Sequence, residues 1–191
     1  MKKAMNLIFW GYLFVFIRIE FGIDILPEPL GYFMIAAGCN KLYKRYPTAQ
    51  KAHAFATAMI FITFPTIFVN VHEQTHILMN AYSILLMMLQ LIVVYFIFQL
   101  LTEIVAEYGS PMLIKRTHNT FKIYIILHLV FLAASTFTPN LAEENWMMFI
   151  LIFMFITLIM DVIFLILLRA VRREVPETLS HKDQVNEENL A

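Results

Sequence analysis

From Ile77 to Leu101 the chain carries no charged residue. About 20 helical residues cross the hydrocarbon core of a bilayer, so this run is long enough to span one. The alternative, a helix sunk in the middle of a large soluble protein, is closed to a chain of 191 residues. A soluble fold of that size must present a large share of its residues to water, yet here 60% are hydrophobic and only 15% charged. Ordinary soluble domains are about half apolar and about a quarter charged. The 18 Phe and 12 Met residues need a second apolar environment besides a protein core, and a bilayer supplies it.

Apolar runs and breakers divide the chain into an all-α, polytopic membrane bundle of about six transmembrane helices, at 5–25, 30–42, 52–71, 77–101, 123–137 and 146–168. The Pro27-Glu28-Pro29 stretch separates the first two, because proline disfavours helix at its own position and at the one before. The second is short for a crossing. Gly31 and Gly38, seven residues apart on one face of it, permit close approach of a neighbouring backbone. Pro65 is expected to kink the third span. The fourth is expected to run on as helix to Tyr108 and to stop at Gly109-Ser110-Pro111. Lys2 and Lys3 ahead of an apolar run resemble a signal peptide, but Arg18, Glu20 and Asp24 follow in place of a small-residue cleavage site, which reads as an uncleaved anchor. Residues 1–173 form the membrane domain, and the polar, acidic 174–191 tail is expected to be disordered.

Charge placement orients the spans. Lys2 and Lys3; Lys41, Lys44, Arg45 and Lys51; Lys115, Arg116 and Lys122; and Arg169, Arg172, Arg173 and Lys182 make thirteen of the 14 basic residues. Six crossings put all of them on one side, and the excess of Lys and Arg in short loops marks the cytoplasmic side. Both termini are then cytoplasmic. Arg18 alone falls on the other side, with Glu20, Asp24, Glu28, Glu73, Glu143 and Glu144. No basic stripe interleaved with aromatics points to nucleic acid. The partner implied is the lipid bilayer, with a membrane-protein partner or a second copy of the chain also open. Cys39, the one cysteine, excludes an intramolecular disulfide and sits among small residues as a packed side chain.

Three groups of residues could carry chemistry. His72-Glu73-Gln74-Thr75-His76 matches the HExxH pattern, in which two histidines one helical turn apart hold zinc and the glutamate serves as general base. Glu103 and Glu107 cannot complete that site. Glu103 lies 27 residues beyond His76 on one continuous helix, about 40 Å away. Glu143 and Glu144, in the outer connection between the last two spans, are the ligands on the right side. The bland alternative is a polar outer loop that spells the motif by chance. In the second group, Glu20, Asp24 and Glu28 are spaced by four, so a continuing helix would line them up beside Arg18. That is an outward cation site or simply the interfacial end of a helix, where charge costs little. The third group is intramembrane. Asp161 and His128 lie about 12 Å and about 9 Å inside the inner boundary, with Gln99 at similar depth on a third helix. An ionisable residue inside a span points to function and to a partner. A proton or cation path through His128 and Asp161 stands against interhelical hydrogen-bonding glue, and against an Asp161 that is protonated and simply buried. No P-loop, dinucleotide-binding glycine pattern or nucleophile elbow is present.

The stretch Ile23-Asp24-Ile25-Leu26-Pro27-Glu28-Pro29-Leu30-Gly31-Tyr32, with Phe9-Trp10-Gly11 before it and Ile35 to Gly38 after it, resembles an N-terminal signature of small integral membrane proteins from Gram-positive, spore-forming bacteria. Their segment commonly reads as an IDILPDFIGY-like run, and Glu28-Pro29 replaces its Asp-Phe pair here. The resemblance covers roughly the first 40 residues. It implies a bacterial plasma-membrane location and a designed proline hairpin between the first two spans, and it adds no catalytic residue. Three functional expectations follow from the sequence: a non-enzymatic accessory or interaction protein, a small-solute or ion transporter using His128 and Asp161, and a zinc-dependent membrane peptidase using His72, Glu73 and His76.

Overall fold

The structure, a computed structural model, describes residues 1–21, 28–67, 77–137 and 144–176. Among them there are six α-helices and no strand: α1 (Lys2–Phe21), α2 (Glu28–Asn40), α3 (Pro47–Thr63), α4 (Ile77–Tyr108), α5 (Pro111–Phe137) and α6 (Glu144–Glu174). Each helix packs on the next in sequence, and α6 returns to α1, which closes the ring.

Among the described residues three helices, not six, are long and apolar enough to cross a membrane by themselves: Ala81–Tyr108, Pro111–Thr136 and Leu151–Glu174. For α2 and α3 the shortfall is one of length. The 13 residues of α2 make about 20 Å of helix, against a hydrocarbon core of about 30 Å. In α3 the α-helix stops at Thr63, and a 3-10 segment, Phe64–Ile67, continues it. Pro65 lies inside that segment, where it has no N–H to give to an α-helical bond and its ring crowds the preceding turn.

The α1–α2 hairpin is held by backbone contact at glycine. A Cβ built on Gly31 would lie 2.8 Å from the Gly11 carbonyl oxygen, and one on Gly11 would lie 2.6 Å from that of Gly31. A Cβ on Gly38 would meet the Ala4 carbonyl oxygen at 2.9 Å. The two helices therefore touch through Ala4, Gly11, Gly31 and Gly38, the small-residue packing that brings backbones together within a membrane. Helix α3 is tied to α2 where His53 Nδ1 lies 3.0 Å from the Ala36 carbonyl oxygen.

The turn between α4 and α5 is two residues long. Gly109 N–H donates back to the Val105 carbonyl (2.8 Å). Ser110 stands as N-cap with Pro111 at the first helical position, the order that a helix start favours. The Glu174 carboxylate accepts from Ser110 N–H (2.7 Å) and lies beside its hydroxyl (3.2 Å). Two expectations change as a result. Lys115, Arg116 and Lys122 lie on α5 rather than in a loop, because the Ser-Pro start launches the helix before the basic cluster. Glu174, the first residue of the expected tail, ends α6, and Val175 beyond it is buried.

These contacts bring four segments to one end of the bundle. Arg45, between α2 and α3, forms an ion pair with Glu107 near the end of α4. Glu174 at the end of α6 meets Ser110 at the start of α5. The α-amino group of Met1 is held below its usual value by burial and by the neighbouring Arg45 and Lys3. Twelve of the thirteen clustered basic residues are described; eleven belong to these segments, and Lys122 lies farther along α5, about 17 Å from its start. The opposite end carries exposed apolar side chains on α6, among them Met148, Leu151, Ile152 and Phe155.

Candidate functional site

In an apolar bundle, the informative groups are the buried polar ones. Asp161 on α6 is only 6% exposed. Its Oδ1 accepts a hydrogen bond from the Tyr12 hydroxyl of α1 and another from the Tyr124 hydroxyl of α5 (2.7 Å). The two phenol oxygens are 2.9 Å apart. His128, one turn after Tyr124 on α5, places Nε2 at 3.7 Å from the same Asp161 oxygen. Its other ring nitrogen, Nδ1, lies 3.0 Å from the Tyr124 carbonyl oxygen. A carbonyl can only accept, so Nδ1 carries a proton, and whenever the ring is neutral Nε2 faces Asp161 with its lone pair. The Tyr124 and His128 rings stack at 3.9 Å and 14°. The sequence pairing of His128 with Asp161 is therefore a structural neighbourhood, joined by two tyrosines.

Helix phase explains each placement. Ala4, Met5, Ile8, Tyr12 and Val15 form the buried stripe of α1, at the three- and four-residue spacing of one helix face. Thr117, Thr120 and Tyr124 continue such a stripe on α5. Tyr12 and Tyr124 were not singled out from sequence. The available signals were depth and spacing: Tyr12 lies nine residues past Lys3, Asp161 eight before Arg169, and Tyr124 four before His128.

A cavity of about 60 Å³ reaches this centre between α4, α5 and α6. Gln90, His128, Thr157 and Asp161 supply polar groups to its wall, and Met87 and Phe131 are among its apolar ones. Gln99 takes no part. Its amide donates to the Tyr95 hydroxyl (2.6 Å) on an exposed face. Gln90 and Gln99 are nine residues apart, or about two and a half helical turns, which places them on opposite faces of α4.

At the basic end, a second polar group joins α3 to α4. The Tyr46 hydroxyl donates to Glu107 Oε2 (2.7 Å), and the Thr48 hydroxyl donates to Glu103. Arg45 lies 5.5 Å from the centre of the Tyr108 ring. Burial first, then the bond to Glu107, pushes the Tyr46 phenol above its usual value. The side chains of the Arg45–Glu107 pair are 27% and 39% exposed, so the pair contributes at most about 1 kcal/mol. It fastens the corner between α3 and α4 rather than forming a reaction centre.

The other sequence candidates divide as follows. His72, Glu73, His76, Asp24 and Glu143 lie outside the described residues, as do the side chains of Arg18, Glu20 and Glu144. Glu28 opens α2, which packs back along α1, so it does not continue one helix with Glu20 as the four-residue spacing implied. Among the described residues no three His, Cys, Asp or Glu side chains converge to hold a metal. No family model matches the chain, and no curated protein or solved structure shows a significant match to it.

Proposed function

We propose that this chain is an ion transporter of the bacterial plasma membrane, crossing the bilayer six times with both termini cytoplasmic, and that the Tyr12–Tyr124–His128–Asp161 centre is its ion site. The observation that carries this reading is an ionisable pair inside the bundle with a cavity beside it. An aspartate at the centre of a bilayer costs about 2.5–3.5 kcal/mol. An accessory protein needs no such group, and hydrogen-bonding glue needs no cavity beside it. The gathering of the basic segments at one end of the bundle supports six crossings, since cytoplasmic loops are the ones rich in Lys and Arg. Helices α2 and α3 fall short of the hydrocarbon thickness, and a short span is accommodated by local thinning of the bilayer and by flanking side chains that reach for the interface.

Purified protein in liposomes, with protons, sodium and rubidium as the probe ions, tests this reading. Wild-type protein should carry at least one of the three above the level of empty liposomes, and Asp161→Asn should fall to that level. Flux absent in the wild type, or equal in the two proteins, overturns the proposal.

A further inference from the structure

We infer that the ion bound at this centre is the proton, held between His128 Nε2 and Asp161 Oδ1 and loaded from the end of the bundle opposite the basic clusters. This inference rests on the transport reading and names its ion. Two acceptors face each other across 3.7 Å. When the imidazole is neutral and the carboxyl ionised, neither has a hydrogen to offer the other, because Nδ1–H is already committed to the Tyr124 carbonyl. One added proton turns this opposition into an attraction. A hydronium arriving through cavity water gives its proton to Nε2, forming the N–H bond and leaving water, and the resulting imidazolium faces a carboxylate. The Tyr124 ring stacked on His128 favours that cation through its negative face.

The remaining ionisable neighbours fit the same assignment. Tyr12 from α1 and Tyr124 from α5 both donate to the carboxylate oxygen, and α4 contributes to the cavity only the neutral Gln90 and apolar residues. A basic nitrogen, His128 Nε2, stands 3.7 Å from this carboxylate oxygen, where one proton serves both groups. The cavity has room for a few waters.

Among the described residues, the cavity extends to one side of the pair. From Asp161 the cavity wall runs back along α6 to Thr157, and from His128 it runs forward along α5 to Phe131 and Leu132. Both directions lead away from the basic end. Toward that end the way is filled by aromatic rings: Phe98 lies 4.5 Å from Phe164, 5.2 Å from Phe121 and 5.3 Å from Tyr124, centre to centre. Phe98 and Phe164 have no exposed surface. Beyond them Leu101, Leu167 and Leu168 are equally buried.

Two measurements on the full chain test the inference. Infrared difference spectra of protein in nanodiscs, taken between acid and neutral pH at constant salt, should show imidazole and carboxyl bands that vanish in His128→Phe and Asp161→Asn. Exchange of sodium for potassium at constant pH should leave the spectrum unchanged. Bands that respond to the alkali ion and not to pH would overturn the proton while leaving Asp161-dependent flux, and the transport reading, intact. For sidedness, Leu132→Cys in a Cys39→Ala background should react with a membrane-impermeant thiol reagent in right-side-out vesicles and not in inside-out ones. Adding Phe98→Ala should open the inside-out route. Thr157→Cys provides a second lining position if the first variant misfolds. Equal reaction from the two sides without Phe98→Ala overturns one-sided loading.

Discussion

Asp161→Leu is expected to abolish ion flux while leaving the bundle as stable as the wild type. The two effects separate because opposing terms nearly cancel in stability and do not cancel in function. Removing the carboxyl deprives Tyr12 and Tyr124 of their shared acceptor. One phenol can still donate to the other across their 2.9 Å separation, so a single buried hydroxyl is left without an acceptor, at about 1–3 kcal/mol. Against this, the cost of holding an aspartate within the bilayer, about 2.5–3.5 kcal/mol, disappears. Leucine adds apolar bulk, and the cavity beside Asp161 gives it room. Unfolding in detergent should therefore show little change or a slight gain, with flux at the level of empty liposomes. If the four polar side chains served only as glue between α1, α5 and α6, stability would respond in the same way, and there would be no wild-type flux for the substitution to abolish.

Gly31→Ala is expected to destabilise the protein by about 3 kcal/mol, the upper end for overpacking. Helix propensity alone predicts the opposite sign, since alanine is favoured over glycine by about 1 kcal/mol in a helix interior. The propensity gain is overruled by the new Cβ, which would stand 2.7 Å from Val15 Cγ2 and 2.8 Å from the Gly11 carbonyl oxygen. A side chain can turn away, but a carbonyl cannot move without moving α1. Gly11→Ala should behave alike, for its Cβ would meet two backbone atoms of α2, the Gly31 carbonyl oxygen at 2.6 Å and the Ile35 nitrogen at 2.8 Å. Ala58→Leu on the exposed face of α3 should be nearly neutral. Chemical or thermal unfolding of the three variants checks the order, and a neutral Gly31→Ala would mean that α1 and α2 do not touch through backbone.

Much of this bundle is legible in the sequence where a residue acts through its own backbone. The stop of α4 at Tyr108 follows from the Gly109-Ser110-Pro111 breaker, the interruption of α3 from Pro65, and the close approach of a neighbouring backbone from the spacing of Gly31 and Gly38. The His128–Asp161 pairing is legible because ionisable residues are rare at that depth. Features that depend on helix phase or length are harder to see. Helix α4 is apolar around its whole circumference, so nothing in its pattern separates the face of Gln90 from that of Gln99. Lys115, Arg116 and Lys122 look like a loop because charge interrupts the apolar run, yet a helix passes through charge freely once its start is capped. Tyr12 and Tyr124 are hidden among the chain's 8 tyrosines, since the residue is at home both in cores and at membrane interfaces. Their role appears only when α1, α5 and α6 are brought together.

The placement of the basic segments carries everything else, because the ion site lies inside a membrane only if the helices around it cross one. Single cysteines at Lys44→Cys, Lys115→Cys and Arg173→Cys, each in a Cys39→Ala background, should react with an impermeant thiol reagent in inside-out vesicles and be protected in right-side-out ones. Reaction of Lys44→Cys and Lys115→Cys from opposite faces of the membrane would contradict six crossings and the ion site within them.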